Sequence, residues 1–260
     1  MNWMRPLGKT SMKVSALGLG TVKLGRNQGV KYPKGFLIPD DNAALALISH
    51  ARELGINLID TAPAYGNSEQ RLGTLLAGQR DHWLICSKVG EEFENGSSHF
   101  NFTPEHTAFS IERSLERLRT DVIDMVLVHS DGDDLRIIEE LGTLQALSEI
   151  KRRGLIRAYG MSTKTVAGGI AAAAECDMVM LTYNLVQQEE VEVLDACAKH
   201  GSAALIKKAL ASGHLAENFE DPVRASMDLV FSHPATTSAI VGTISEQHLS
   251  ANVEAAMAAL

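Results

Sequence analysis

Three segments of this chain repeat one junction: a helical stretch, a glycine, then an apolar run. They read HARELGINLID around Gly55, EIKRRGLIRAYG around Gly154 and ACAKHGSAALIKK around Gly201. A glycine just past a helix takes the left-handed conformation that ends it, and basic residues in the last turn complement the helix dipole. Strands that follow helices so regularly build a parallel sheet, because parallel neighbours need a crossover and the crossover helices cover the sheet.

Read through, the chain yields eight strand candidates: ALGLGT, NLID, WLICSK, VIDMVLVH, IRAYGMS, MVML, AALIK and SAIVGT. Helices are expected between them at Asp41–Leu54, Ser68–Ala77, Leu135–Arg152, Thr165–Ala174, Gln188–Lys199, Pro222–Ser232 and Ser245–Ala258. One more follows Thr103, the N-cap, with Pro104 in the first turn and Ala108, Ile111, Leu115 and Leu118 on one face. Eight alternations without a linker predict an α/β fold, a closed (β/α)8 TIM barrel forming one domain over residues 1–260. An open doubly wound sheet satisfies the same pattern.

Composition narrows the function classes. The 260 residues are 45% hydrophobic, enough for a sizeable core, and carry a formal charge of −8 from 32 acidic and 24 basic residues. That balance argues against nucleic acid or an acidic membrane as partner, yet allows a local site for a small anion. Three cysteines without paired spacing point to reduced thiols. With no apolar leader and no run near the roughly 18 residues of a membrane span, a cytoplasmic location is expected. Nothing bears on oligomeric state.

Three apolar strands end on ionisable groups. LIDTAPAYG delivers Asp60 and Tyr65, WLICSK delivers Lys88, and VIDMVLVH delivers His129. Charged groups at the ends of buried strands are paired or used. In a barrel the C-terminal strand ends converge on one face, so these four would meet there. Period-two geometry puts Cys86 and Lys88 on one face of their strand and Ser87 on the other. A lysine ammonium about 4 Å from Tyr65 favours the phenolate by roughly 4 kcal/mol at an effective dielectric of 20. That is about three pKa units before any cost of burial. Asp60 would keep Lys88 charged, and His129 would orient a carbonyl or pass a proton.

Blander readings stand beside this one. Asp60 and Lys88 would serve equally as an interior ion pair, His129 as a core histidine and Tyr65 as packing. No second histidine or carboxylate cluster accompanies His129, so no metal is expected. LGLGT at Leu17–Thr21 lacks the third glycine of a dinucleotide fingerprint, and reads better as a strand that another group approaches closely.

MRPLGKTSMKVSALGLGT, LIDTAPAYGNSE, ICSKVG and LVHS, in that order, resemble the aldo-keto reductases. The resemblance runs from Met4 to the Thr243–Asn252 segment. It implies a barrel capped by an N-terminal β-hairpin, an extended NADP(H) and reduction of aldehydes or ketones by hydride transfer. It implies Tyr65 as general acid, Lys88 as the residue that lowers its pKa, Asp60 as the partner of Lys88 and His129 as the carbonyl-orienting histidine.

Cofactor contacts are implied at Gly20, Thr21, Asp60, Ser162, Thr163, Lys207, Lys208, Leu210, Ser212, Gly242, Thr243, His248 and Asn252. Several depart from the family pattern. Met180 stands where a carboxamide-binding glutamine is usual, and Lys207 where an aromatic residue stacks on the nicotinamide. Gly242 and His248 stand where basic residues hold the 2′-phosphate. NADP(H) is the expected nucleotide, with NAD(H) also accepted, since phosphate recognition is strongest from a guanidinium fork. Lys207 and Lys208 are expected to include at least one phosphate contact. A chain ending at Leu260 lacks the family's long C-terminal loop, which implies a permissive pocket with Gly25–Pro39 as a mobile cover. Two other functions fit the chain: a nucleotide-sensing subunit like the β subunits of potassium channels, and Schiff-base chemistry at Lys88 or Lys207.

Overall fold

The structure is a computed structural model that describes residues 3–33, 35–214 and 219–260. Eight parallel strands close into a barrel: β3 (Leu17–Gly20), β4 (Leu58–Asp60), β5 (Leu84–Val89), β8 (Ile123–His129), β9 (Ile156–Ser162), β10 (Met178–Thr182), β11 (Ala203–Lys207) and β12 (Thr236–Val241). β12 returns to β3 with Ala239 opposite Leu17, so no edge remains and the open sheet is excluded. All eight strand candidates are strands of this barrel. The three junction glycines have φ of 79°, 81° and 71° at Gly55, Gly154 and Gly201, the left-handed stop their context requires.

An antiparallel hairpin, β1 (Met4–Pro6) with β2 (Lys13–Ser15), precedes the barrel. Its Leu7, Met12 and Val14 are buried against the inward residues Leu58, Cys86, Met125, Met178 and Leu205. The hairpin therefore plugs the barrel at the end where the strands begin and leaves the opposite end for a site. Gly18 belongs to this interior too: a Cβ there would meet Ile240 and Leu58 side chains at 2.6–2.9 Å, the close approach expected of LGLGT. A second apolar layer lies between sheet and helices.

The surrounding helices are α2 (Asp41–Glu53), α3 (Ser68–Leu75), α4 (Pro104–Leu118), α5 (Asp134–Glu139), α6 (Thr143–Arg152), α7 (Val166–Glu175), α8 (Val191–His200), α9 (Pro222–Ser232) and α10 (Glu246–Ala259), with a single turn, α1 (Val22–Gly25), after β3. Thr103 caps α4 by accepting from the His106 amide at 3.2 Å, as its spacing predicts. One expectation fails. Leu135–Arg152 is not one helix but two, because Gly142 breaks it with φ 74°. One element escapes the sequence reading: a hairpin of β6 (Glu91–Glu94) and β7 (Ser97–Phe100) inserted between β5 and α4. Its Asn95-Gly96 turn, with both φ positive, is a type I′ signal in plain sight. Among the described residues no helix is long and apolar enough to cross a membrane.

Candidate active site

The strand ends opposite the N-terminal hairpin surround a cavity of about 1110 Å³. Asp60 closes β4, Lys88 is the next-to-last residue of β5, and His129 closes β8. Lys88 and Asp60 are buried, with Nζ 2.5 Å from Oδ1 and a second bond from Nζ to the Thr61 carbonyl at 2.9 Å. Ser87 points the other way and donates to Glu69 at 2.6 Å, as the two-residue period requires. Tyr65 returns over the cavity on the β4–α3 loop. Its ring centroid is 4.8 Å from Lys88 Nζ, and its hydroxyl faces Asp60 Oδ2 at 3.5 Å. The His129 ring stands edge-on to it, centroids 6.3 Å apart. The four groups share one space.

Electrostatics distributes the protons among them. Burial alone would lower the Lys88 pKa, but Asp60 beside it wins and holds it above its ordinary value. Lys88 is therefore a fixed ammonium. Burial pushes the Tyr65 phenol up; Lys88 opposes this and Asp60 adds to it. The pull of Lys88 expected from sequence is present, yet desolvation outweighs it. Tyr65 is a protonated phenol at neutral pH, the form a proton donor needs.

His129 has a neighbour that the sequence reading did not select. Glu91, delivered by the missed β6–β7 hairpin, places Oε2 2.8 Å from His129 Nδ1, while its Oε1 accepts from Ser98 at 2.6 Å. Despite burial, the contacts with His129, Ser98 and Arg26 hold Glu91 down at about 2. Arg26 in turn lies 3.3 Å over the Phe93 ring of the hairpin and donates to the Ala64 carbonyl at 3.0 Å, tying hairpin and Tyr65 loop together.

On the other side of the cavity stand the residues implied for a nucleotide. Gly20 and Ser162 line it from the ends of β3 and β9, and Thr163 from just after β9. Lys207, Lys208, Leu210 and Ser212 line it at and after β11. Gly242, Thr243, His248 and Asn252 line it after β12. Thr21 does not line it: its hydroxyl is buried behind β4, donating to the Asp60 carbonyl at 2.9 Å and receiving Ser68 at 2.8 Å. Lys207 bonds Ser162 Oγ at 3.0 Å and the Thr163 carbonyl at 2.6 Å. Burial, with Lys208 close by, pushes Lys207 down to about 8 against the pull of Glu190.

Two further groups favour a ligand. Thr163 Oγ1 and Glu190 Oε2 are buried, line the cavity and have no hydrogen-bond partner among the described residues. Glu190, on the segment before α8, carried no sequence signal. Among the described residues six lysines line the cavity against two carboxylates, Asp60 and Glu190, in a chain of net charge −8. The cavity exceeds the usual range for one small ligand, about 300–1,000 Å³. Size, charge and orphaned polar atoms all fit a dinucleotide with a small substrate beside it. Within residues 25–39, Lys31, Tyr32, Pro33, Gly35 and Phe36 reach over the mouth, and Lys23 sits 4.1 Å over the Tyr32 ring. Lys34 of that loop lies outside the described residues. Among the described residues no group of three or more His, Cys, Asp or Glu could hold a metal.

Comparison with known proteins agrees with this fold. The model of the aldo/keto reductase family matches residues 16–229. The chain is 28% identical over 229 residues to the uncharacterized oxidoreductase YqkF of Bacillus subtilis (strain 168), covering 86% of this chain and 70% of that one. It is 30% identical over 226 residues to the NADH-specific methylglyoxal reductase of Escherichia coli (strain K12), covering 81% and 68%. Matches to curated relatives cover between 35% and 70% of those proteins' own length. A solved Pseudomonas aeruginosa protein assigned to the aldo-keto reductases superposes with TM-score 0.91 at 54% identity, over 98% of this chain and 94% of that one. The holo form of aldo-keto reductase AKR11C1 from Bacillus halodurans does so with TM-score 0.80 at 25% identity, over 97% and 90%. The chain belongs to the aldo/keto reductase family of oxidoreductases.

Proposed function

We propose that the protein is a cytoplasmic NAD(P)H-dependent reductase of aldehydes or ketones, folded as one domain over residues 1–260. The observation that carries this reading is the convergence of Asp60, Tyr65, Lys88 and His129 on one cavity wall, with Lys88 and Asp60 paired at 2.5 Å. A reduced nicotinamide, when bound, supplies a hydride to the carbonyl carbon. Tyr65 holds its proton in the buried site and gives it to the carbonyl oxygen as that oxygen gains negative charge. The Lys88 ammonium then stabilises the phenolate, and Asp60 keeps that ammonium charged and in place. His129 faces the same space and orients the substrate. Ser162 and Thr163 are assigned to the nicotinamide amide. Lys207, Lys208, Leu210 and Ser212 take the phosphates, and Gly242, Thr243, His248 and Asn252 the adenosine end.

NADP(H) is the preferred nucleotide on this reading and NAD(H) is accepted too. The lysine-rich cavity favours phosphates, no arginine among the described residues lines it to make a bidentate 2′-phosphate clamp, and one relative is named NADH-specific. Tyr65→Phe is expected to leave NADPH titration unchanged and lower turnover of a small aldehyde by roughly 10²–10⁴-fold. Undiminished turnover would remove Tyr65 from its role.

A nucleotide-sensing subunit is favoured by one feature: Met180, apolar, lines the cavity where the family carries an amide side chain. Tight NADPH binding without oxidation by any of a panel of aldehydes would select it.

A further inference from the structure

We propose that Glu190 is a specificity-determining residue for the nucleotide, a role that rests on the dinucleotide reading above. Its carboxyl accepts a hydrogen bond from the N–H2 of the nicotinamide carboxamide, the contact that Met180 is unable to make.

Hydrogen-bond supply on the nucleotide side of the cavity is one-sided. The Ser162 hydroxyl oxygen and the Thr163 carbonyl already accept from Lys207, at 3.0 and 2.6 Å. An oxygen that accepts from an ammonium directs its own proton elsewhere. Ser162, and the Thr163 hydroxyl with no partner among the described residues, are therefore suited to donate to a carbonyl. A carboxamide also presents two N–H donors, and these need an acceptor. Met180 stands opposite Ser162 in the strand register and lines the cavity, but a thioether is a weak acceptor at best.

Glu190 supplies what Met180 lacks. Met180 and Thr182 share one face of β10 by the two-residue period, and both line the cavity. The Glu190 carboxyl lies beside Thr182, one step beyond Met180 along that face. Glu190 immediately precedes α8, yet its side chain does not cap that helix. Lys207 is near enough to pull on it but bonds to Ser162 and Thr163 instead. Oε2 is thus buried without a partner among the described residues, a costly state unless something outside the chain completes it. The last bond of a glutamate side chain turns softly, which lets Oε2 swing to the cavity. Burial pushes the pKa of this group up against the pull of Lys207, but a carboxyl keeps an acceptor oxygen in either protonation state. Two other groups compete for the role. Asp60 is committed to the catalytic side, with Oδ1 bonded to Lys88 and Oδ2 facing Tyr65. Gln187 also lines the cavity, but it is exposed on the loop after β10.

Calorimetric titration with NADP+ and with acetylpyridine adenine dinucleotide phosphate tests the assignment. The analogue carries a methyl group in place of the amide N–H2 and keeps the carbonyl, so only an acceptor for N–H2 tells the two apart. The unsubstituted protein should bind NADP+ roughly tenfold more tightly than the analogue. Glu190→Ala, and Glu190→Met, which fills the space without an oxygen, should weaken NADP+ and bring that ratio close to one. Glu190→Gln keeps an acceptor oxygen and should retain most of the ratio. Because the ratio is read within each protein, a variant that is merely less stable does not mimic the effect. A ratio near one in the unsubstituted protein, or one that survives in Glu190→Ala or Glu190→Met, overturns the proposal. So does a ratio abolished by Gln187→Ala, which would make Gln187 the acceptor. If the unsubstituted protein binds neither nucleotide, the dinucleotide reading itself fails, an outcome distinct from binding both alike.

Discussion

Replacing Lys88 by methionine is the sharpest probe of the buried pair. The side chains of Lys88 and Asp60 are 1% and 4% exposed, and their charged atoms are 2.5 Å apart. Methionine fills a similar space but takes away the only cation bonded to Asp60 among the described residues. The Tyr65 hydroxyl, at 3.5 Å, is too distant to replace it. Breaking a buried pair from one side typically costs about 3–5 kcal/mol, most of it the stranded charge. For a chain of this size that is a fall in Tm of roughly 6–20 °C. Urea unfolding of wild type, Lys88→Met, Asp60→Asn and the double variant measures it. The double variant should lie closer to wild type than Lys88→Met, since no buried charge is left alone. The pH sign follows from Lys88, whose pKa is raised in the folded protein. Its contribution is fully present below the unfolded value near 10.5 and is lost only as pH climbs through the higher folded value. Lys88 itself therefore adds no pH dependence to the deficit between pH 6 and 9. A deficit under about 1 kcal/mol refutes the reasoning.

Two further outcomes are expected. Gly90→Ala forces a side chain into φ 100° and sets a Cβ 2.5 Å from the Phe102 ring, so it should destabilise the protein by about 1–3 kcal/mol and displace Glu91. A urea midpoint like that of wild type would show that the backbone relaxes there at little cost. Lys207 is pushed down to about 8 by burial, so the folded state holds fewer protons than the unfolded one between about pH 8 and 10.5. Stability should gain from this group as pH rises through that window, and Lys207→Met should lack the gain when both are unfolded at pH 7 and pH 10.

Local chemistry made much of this molecule legible. Helix–glycine–strand junctions announced a wound parallel sheet, because left-handed glycine is the common way to stop a helix before a strand. Asp60, Lys88 and His129 could be assigned to one face because an apolar strand has few reasons to end on a charge. The break at Gly142 was missed because apolar periodicity on both sides of it agrees with one helix. The β6–β7 hairpin was missed although Asn95-Gly96 marks it, because EEFE and SSHF are too polar to read as strands that bury a face. Glu91 and Glu190 were out of reach for another reason: an exposed-looking acid in a polar stretch gives no sign of what will fold against it.

The sequence by itself determined the strand–helix alternation, the parallel sheet, the strand ends and the identities of the four groups at the site. Those follow from short-range patterns, where each residue's neighbours in the chain are also its neighbours in space. Closure of that sheet into a barrel was left to the pairing of its first and last strands. Only the tertiary structure decided how the protons are shared. The pKa direction of Tyr65 depends on how deeply the loop is buried against Lys88 and Asp60. The negative charge beside His129 comes from a carboxylate 38 residues earlier in the chain that an extra hairpin folds back to 2.8 Å. Desolvation and Coulomb interaction are set by distance and enclosure, and neither is encoded in any one segment.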